Sequence, residues 1–229
     1  TTESTICSEA LRRNVNTIGL EVLSFKRLCD RAFRQYGGIS YNSVTQGAKA
    51  LIMWDALFSS APLLKYYNKS LEDSDKIISS HLALASELKS YTVSSAQLMD
   101  ASRELEAENP KLSSKLFDIS IIYSTYLSLI SKRYDDPEDD LTQLAALLKE
   151  NNFFAGTSLY LDSYRGFTPQ QYNVLRYALN EADSSVVTLC LRNDPNSFSF
   201  ECVKDTFKKV KSILKHAPII TVLTPDHPV

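Results

Sequence analysis

A chain of 229 residues and 25.7 kDa is long enough to bury a substantial core, as one large domain or two small ones. Its formal net charge of −2 gives no general attraction for nucleic acid, so any contact with DNA has to be local. No apolar run reaches the roughly 18–20 residues of a membrane helix and no secretory signal opens the sequence, so we expect a cytoplasmic protein. The first residue is Thr1 rather than Met, which is typical of a piece cut from a longer protein.

The four cysteines lie far apart in the sequence and include no CxxC pair. Only three histidines are available to complete a metal site. We therefore predict reduced thiols in the core rather than a zinc site or a disulfide framework. These cysteines are Cys7, Cys29, Cys190 and Cys202.

Near the start, the run IGLEVLSF from Ile18 to Phe25 has the β-branched and apolar residues of a short strand. Ser24 can then cap a helix through FKRLCDRAFRQY, which the Gly37-Gly38 pair terminates. The sequence thus predicts a strand followed directly by a helix.

Residues 43–151 contain no convincing strand. Five segments there repeat apolar residues at i, i+3 and i+4, the period of an amphipathic helix. They are AKALIMWDALF, DSDKIISSHLALASELKSY, SSAQLMDASRELEAE, KLSSKLFDISIIYSTYLSLISKRY and DDLTQLAALLKE. We predict a helical bundle with Trp54, Tyr123 and Tyr126 in its core, and an exposed loop at the acidic run Asp135 to Asp140.

After Gly156, strand and helix patterns alternate: TSLYLDS, FTPQQYNVLRYALNEA, SSVVTLCLR, FECVKDTFKKVKSILKHA and a final strand, PIITVLT. Alternation of this kind predicts a mainly parallel sheet with crossover helices. The strand at Ile18 to Phe25 is expected to join this sheet. The predicted fold class is therefore α/β with a large all-helical insertion at 43–151, and the α/β domain consists of 1–42 and 152–229.

Asp162 ends the first of these C-terminal strands, and ligands of open α/β sheets bind beyond that end of the strands. The simpler interpretation is that Asp162 accepts hydrogen bonds within a turn. Thr168 and Gln171 can form a capping box, with Pro169 at the first helical position.

A second charged feature is the lysine run of the last helix, which gives it a small basic stripe, most simply a solvated face. Its residues are Lys204, Lys208, Lys209, Lys211 and Lys215.

Four segments together resemble AddB, also called RexB, the second subunit of a bacterial ATP-dependent helicase/nuclease. The segment LDSYRGFTPQQYNVL is similar to the family's strand, Asp-Gly-Phe turn and Phe-Thr-Pro-Gln helix start, with Ser163 in place of the usual Gly and Tyr164 in place of Phe. The other three are STICSEAL, EVLSFKRLCDRAFRQYGG and KLFDISIIYSTYLSLISKRYDDPEDDLTQLA.

The resemblance implies a partial RecA-like, P-loop NTPase-like fold whose sheet is interrupted by the helical insertion. It puts Asp162 where related helicases have the first residue of an Asp-Glu pair, on the nucleotide and magnesium side. Ser163 stands at the Glu position and cannot act as a carboxylate base. The sequence also contains no GxxxxGK[ST] phosphate loop. We therefore expect no cofactor in this chain and no catalytic residue, whereas ATP, magnesium and an iron–sulfur cluster are implied for a full-length parent that is a subunit of an ATP-dependent exonuclease.

The resemblance further implies binding to DNA, as a single strand or a duplex end, and docking on an AddA-type subunit during double-strand break repair and recombination. The residues implied to contact DNA are Ser4, Thr5, Ser24, Phe25, Lys26 and Arg27. A hydroxyl and free N–H groups at a helix start can bind phosphate, and Phe25 can stack on a base. The alternative is that Ser24 is only a cap, Phe25 is core, and Lys26 and Arg27 are solvated.

Two other functions stay open at this point. One is an α/β enzyme that binds a small phosphorylated ligand near Asp162 and Asp194. The other is a helical protein-interaction module without a role on nucleic acid, which would suit the slightly acidic charge balance.

Overall fold

The computed structural model describes residues 5, 8–9, 12–13, 18–38, 42–67, 74–162, 164–190 and 201–222. The chain divides into two compact units, Thr1–Ile39 and Ser40–Val229. The predicted grouping of 1–42 with 152–229 stays a prediction.

The N-terminal unit contains helix α1, Phe25–Tyr36. The Ser24 hydroxyl accepts a hydrogen bond from the Arg27 backbone N–H at 3.3 Å, and Gly37 ends the helix with φ of 89°, as predicted. The strand predicted for Ile18–Phe25 is wrong, because the described residues before Phe25 form a turn and then irregular chain. Gly19 has φ of 87°, a left-handed conformation that interrupts an extended run.

The C-terminal unit begins with the predicted helical part. Its helices are α2 (Gln46–Ser60), α3 (Ser74–Ser90), α4 (Ser95–Glu104), α5 (Pro110–Ser131) and α6 (Asp140–Glu150), with short 3₁₀ turns at Ala61–Leu63 and Pro137–Asp139. All five predicted helical segments are thus confirmed. Helix α5 packs against α2 and α4, and α3 packs against α2.

The core of this bundle forms around α5, as its amphipathic stripe predicts. Tyr123 and Tyr126 are buried, and Met53 of α2 packs in the same cluster. Trp54 was expected there, but it is 47% exposed and stacks on Phe58 with ring centroids 5.2 Å apart. The expectation for Trp54 is wrong because Met53, one residue away and thus about 100° around the helix, is the residue that turns inward.

Strand β1 (Ser158–Leu161) pairs in parallel with strand β2 (Ser184–Val187), and helix α7 (Pro169–Glu181) connects them. Helix α7 packs on α6 of the helical part and contacts helix α8, Glu201–Ile213. The described chain is therefore mostly helical with a small two-stranded parallel sheet, which is compatible with an α/β fold that carries a helical insertion.

The final strand predicted from PIITVLT is wrong over its described residues, 218–222, which have no strand structure. Ile219 is 97% exposed and Val222 is 81% exposed, so these apolar side chains lack the cover that a sheet position would give them. A strand needs a hydrogen-bonded neighbour, and the described chain offers none to this segment.

Candidate functional site

Asp162 follows β1 and lies at the carboxyl end of the small sheet. Its side chain is exposed and accepts a hydrogen bond from the hydroxyl of Thr188, which follows β2. The register explains this contact, because Leu161 is opposite Val187 and the Thr188 N–H donates to the Leu161 carbonyl at 2.9 Å. Strand-end position for Asp162 is as predicted; the partner Thr188 was missed, and only the parallel register could have identified it.

The turn after β1 brings three aromatic rings together. The ring centroids of Tyr164 and Phe167 are 4.7 Å apart, and those of Phe167 and Tyr172 are 5.5 Å apart. Ser163 lies outside the described residues. The Arg165 carbonyl accepts a hydrogen bond from the Thr206 hydroxyl at 3.0 Å, so the turn is tied to α8.

The start of α7 has the predicted capping box. The Gln171 N–H donates to the Thr168 hydroxyl at 3.3 Å, and the Thr168 N–H donates to the Gln171 side-chain oxygen at 2.9 Å. Pro169 occupies the first turn, where its missing N–H needs no partner. The helix therefore begins at a fixed residue directly after the aromatic turn.

Gln170 of the same motif points into the helical part rather than towards the strand ends. It is 5% exposed, and its amide donates to the Glu138 carbonyl and to the Thr142 hydroxyl, both at 3.1 Å. Gln170 thus joins the α7 start to the segment that precedes α6. Periodicity does not reveal this contact, because a polar residue in the first turn of a helix is ordinary.

The acidic run at Asp135 to Asp140, expected to be an exposed loop, contributes to a buried ion-pair cluster instead. Asp136 is 3% exposed and binds the ammonium groups of Lys49 and Lys89, each at 2.7 Å. Glu138 pairs with Lys49 at 2.8 Å and Asp139 pairs with Lys89 at 2.9 Å. The expectation failed because a carboxylate paired with two lysines can be buried, whereas one without a partner stays solvated.

Pairing decides the charge state of this cluster. Burial alone would raise the pKa of Asp136, but the hydrogen bonds from Lys49 and Lys89 outweigh it and lower that pKa. Burial alone would lower the pKa of Lys49, but its hydrogen bonds to Asp136 and Glu138 raise it, and the pKa of Lys89 is raised in the same way. All these groups stay charged near neutral pH and are not poised to transfer a proton.

A cavity of about 670 Å³ lies beside the cluster and is lined by residues that include Lys89, Asp139, Tyr123 and Gln170. Burial, together with the carboxylates of Asp139, Glu138 and Asp136, raises the pKa of Tyr123 to about 12. The phenol is therefore neutral at physiological pH. The cavity has polar walls but no activated nucleophile or base among these groups.

The other predicted contacts fall in the N-terminal unit. Ser24, Phe25, Lys26 and Arg27 form the start of α1, where Lys26 and Arg27 are exposed and Phe25 is partly exposed. Thr5 is an exposed helical residue, and Ser4 lies outside the described residues. The structure brings Ser24 to Arg27 together in one helical turn, and their role on DNA stays a prediction.

Metal-binding groups do not cluster in the described residues, which hold no set of three His, Cys, Asp or Glu side chains that could bind an ion. Cys29 is a free, buried thiol as predicted, but Cys190 and Cys202 are free and exposed, so the core assignment was wrong for them. Cys7 lies outside the described residues.

The sequence matches the model of the family described as ADDB, N-terminal, over residues 1–225. The chain belongs to the AddB N-terminal family. Similar curated relatives are the ATP-dependent helicase/deoxyribonuclease subunits B of Acetivibrio thermocellus, 32% identical over 85% of this chain, and Clostridioides difficile, 33% identical over 84%. The same subunit of Ruminiclostridium cellulolyticum is 31% identical over 91%.

The matched regions cover only 17%, 16% and 19% of these three AddB relatives, so the chain spans about a sixth of their length. None of the helices in the described ranges has the length and apolar content needed to cross a membrane.

Proposed function

We propose that the chain is a helicase-like region of the B subunit of an ATP-dependent helicase/nuclease that guides DNA without hydrolysing ATP. The observation that carries the proposal is the membership in the AddB N-terminal family, whose relatives are named as helicase/deoxyribonuclease subunits. By the same kinship, the parent protein acts in double-strand break repair and recombination and docks on an AddA-type partner subunit.

A RecA-like origin of the α/β part is supported by its strand–helix–strand order. Strands β1 and β2 are parallel, α7 connects them, and Asp162 lies at their carboxyl end. Helicase-like sheets bind nucleotide at this end of the strands. We propose that further strands of this sheet come from parts of the parent protein outside the described residues.

The residues present do not by themselves fit ATP and magnesium. Asp162 and the Thr188 hydroxyl offer two oxygen ligands at the strand ends, whereas a nucleotide site also needs donors that hold the phosphates. The sequence has no glycine-rich loop ending in Lys-Ser or Lys-Thr, and Ser163 stands where a general-base Glu is expected. ATP, magnesium and the iron–sulfur cluster are therefore proposed for the parent protein alone, and no catalytic step is assigned here.

The proposed contacts with DNA lie at the start of α1. Ser24 is exposed although it caps the helix, and Lys26 and Arg27 put two exposed cations within the first turn. Positive charge at a helix N-terminus suits a phosphate, whose negative charge the helix dipole also favours. Ser4 and Thr5 are proposed to contact the same strand.

The test is a pair of measurements on the purified 229-residue chain. We expect no ATP turnover with or without single-stranded DNA, and weak binding of a labelled oligonucleotide that falls steeply with salt. Replacing Lys26 and Arg27 by Gln should lower the slope of log K against log salt by up to about 0.7 for each lost phosphate contact. Robust ATP turnover, or no binding of DNA at low salt, would contradict the proposal.

Lys76 and Lys111 provide the matched control, since both are exposed lysines on α3 and α5. Their Gln variants remove the same number of charges from the helical part and should leave the slope unchanged. The other two functions gain no specific support: Asp194 lies outside the described residues, and the strand end lacks a phosphate loop.

A further inference from the structure

The turn after β1 and helix α8 together present aromatic and basic groups on one surface. Tyr164, Phe167 and Tyr172 form a chain of ring contacts, and each ring is partly exposed. The Lys209 ammonium lies over the Tyr172 ring, 5.7 Å from its centroid. This aromatic chain with its lysine is called the Tyr172 surface below.

Positive charge extends from the Tyr172 surface along α8. Residues 201–215 contain five lysines against two carboxylates, although the chain as a whole has a net charge of −2. Lys204, Lys208 and Lys211 follow each other at spacings of four and three residues, so they share one helix face and span about 10 Å. Val203 and Val210 are buried on the opposite side, which leaves the lysine face towards solvent.

The neighbouring acidic groups do not cancel this charge. Asp205 lies 3.4 Å from Lys208 in an exposed pair, and Asp162 accepts a hydrogen bond from Thr188. Arg165, exposed in the aromatic turn, adds another cation, and its carbonyl fixes the turn to α8 through Thr206. The surface therefore combines ring faces with a cationic border on a supported turn.

We propose that the Tyr172 surface binds single-stranded nucleic acid, with a base stacked against the aromatic chain and the backbone phosphates along the lysines of α8. Stacking on an aromatic ring accepts any base, and lysines at this spacing neutralise successive phosphates, which is the chemistry of strand binding without sequence preference. The inference rests on the proposed function and extends it to a second surface, separate in sequence from the start of α1.

The experiment measures binding of the 229-residue chain to a labelled oligothymidylate about 20 nucleotides long, and to the same oligomer without bases. Tyr172→Leu should weaken binding of the normal oligomer about tenfold and leave the salt slope unchanged, because it removes a stacking partner and no charge. The base-free oligomer should bind the unaltered chain as weakly as Tyr172→Leu binds the normal one. Lys209→Gln should instead lower the slope of log K against log salt by about 0.7.

Controls separate binding from folding. Tyr172→Phe keeps the ring and should bind like the unaltered chain, and Tyr91→Leu removes a 55% exposed tyrosine from the helical part and should also change nothing. Circular dichroism melting reports whether each variant is folded. If Tyr172→Leu is unfolded, the base-free oligomer and Lys209→Gln still decide the question.

The outcomes distinguish this inference from the proposed function. Equal binding of the normal and base-free oligomers, with no effect of Lys209→Gln, would overturn the Tyr172 surface while strand binding elsewhere stands. Competition by free thymidine monophosphate at the affinity of the oligomer would assign the surface to a mononucleotide and overturn the strand proposal. No binding of any oligomer at low salt would contradict the proposed function itself.

Discussion

Asp118 shows how a single buried carboxylate can order a loop. It is 0% exposed and accepts hydrogen bonds from the backbone N–H groups of Lys65, Tyr66 and Tyr67 at 2.8, 2.7 and 2.9 Å. A carboxylate oxygen can accept more than one such bond, so one side chain of α5 holds the chain that leaves the 3₁₀ turn after α2.

Replacing Asp118 by Asn should therefore destabilise the chain by about 3 kcal/mol, because one acceptor oxygen becomes a donor that faces another N–H. Urea unfolding monitored by circular dichroism measures the change. Asp100→Asn is the control: Asp100 pairs with Arg103 on the surface, and this exposed pair should contribute little. Equal effects of the two substitutions would contradict the role given to Asp118.

His81 provides a pH-dependent contribution to stability. It is 6% exposed, its Nδ1–H donates to the Ile77 carbonyl at 2.8 Å, and its ring lies edge-on to Tyr67. Its Nε2 is buried without a hydrogen-bond partner among the described residues. Burial, assisted by the charge of Lys115, lowers the pKa of His81, so the folded chain holds this imidazole neutral.

The unfolded chain binds a proton at His81 below its ordinary pKa of 6.5, whereas the folded chain does not until the lower folded pKa is reached. Stability should therefore be full above that value and fall as the pH drops below it, by at most about 1.4 kcal/mol per pH unit. His81→Leu should remove this loss in urea unfolding between neutral pH and pH of about 5. The pKa of Glu181 is raised and acts in the opposite direction, so the difference between variant and parent is the quantity to measure.

A variant with the parent's slope would show that His81 is not the titrating group. His216 is exposed, and His216→Leu should leave the slope unchanged.

At the scale of elements, caps and periodicity explain why the helices were predictable. Ser24, Ser94 and Thr168 each accept a backbone N–H from three residues later, so each helix start is encoded in a few adjacent residues. The strands were less predictable, because a run such as Ile18–Phe25 becomes a strand only if a neighbour pairs with it.

Thr168→Ala removes the cap of α7 and should cost about 1 kcal/mol. Thr168→Ser keeps the hydroxyl and should restore most of that stability. The free energy of unfolding in urea measures both. A similar loss in the two variants would mean that the methyl group of Thr168, rather than its cap, is what matters.

For the whole C-terminal unit, the ion-pair cluster ties together parts that are distant in sequence. Lys49 comes from α2, Lys89 from α3 and Asp136 from the chain before α6, and the Glu138 carbonyl accepts the amide of Gln170 from α7. The cluster therefore joins the helical part to the helix that crosses between β1 and β2.

Asp136→Asn should destabilise the chain by about 3–5 kcal/mol, because it leaves Lys49 and Lys89 buried with one carboxylate partner fewer each. Replacing Lys49, Lys89 and Asp136 together by Met, Met and Leu should recover much of this loss, since no buried charge is then left without its partner. Thermal and urea unfolding measure both variants. A loss for the triple variant as large as that for Asp136→Asn would contradict this account.

The same cluster fixes the direction of the pH dependence. The pKa of Asp136 is lowered, so its contribution is present above 3.8 and is lost as the pH falls through the folded value. The pKa values of Lys49 and Lys89 are raised, so their contributions are present below 10.5 and are lost as the pH rises through the folded values.

The sequence by itself determined the five helices of the helical part, the caps at Ser24 and Thr168, the strand that ends at Asp162 and the family of the chain. These features depend on residues within a few positions of each other, or on short motifs, and such signals are readable without knowing the fold. Only the tertiary structure decided that Asp136 is buried between two lysines, that Gln170 reaches Glu138, and that Asp162 meets Thr188. Each of these contacts joins residues far apart in the chain, and whether a polar group is buried depends on the partner that folding brings to it.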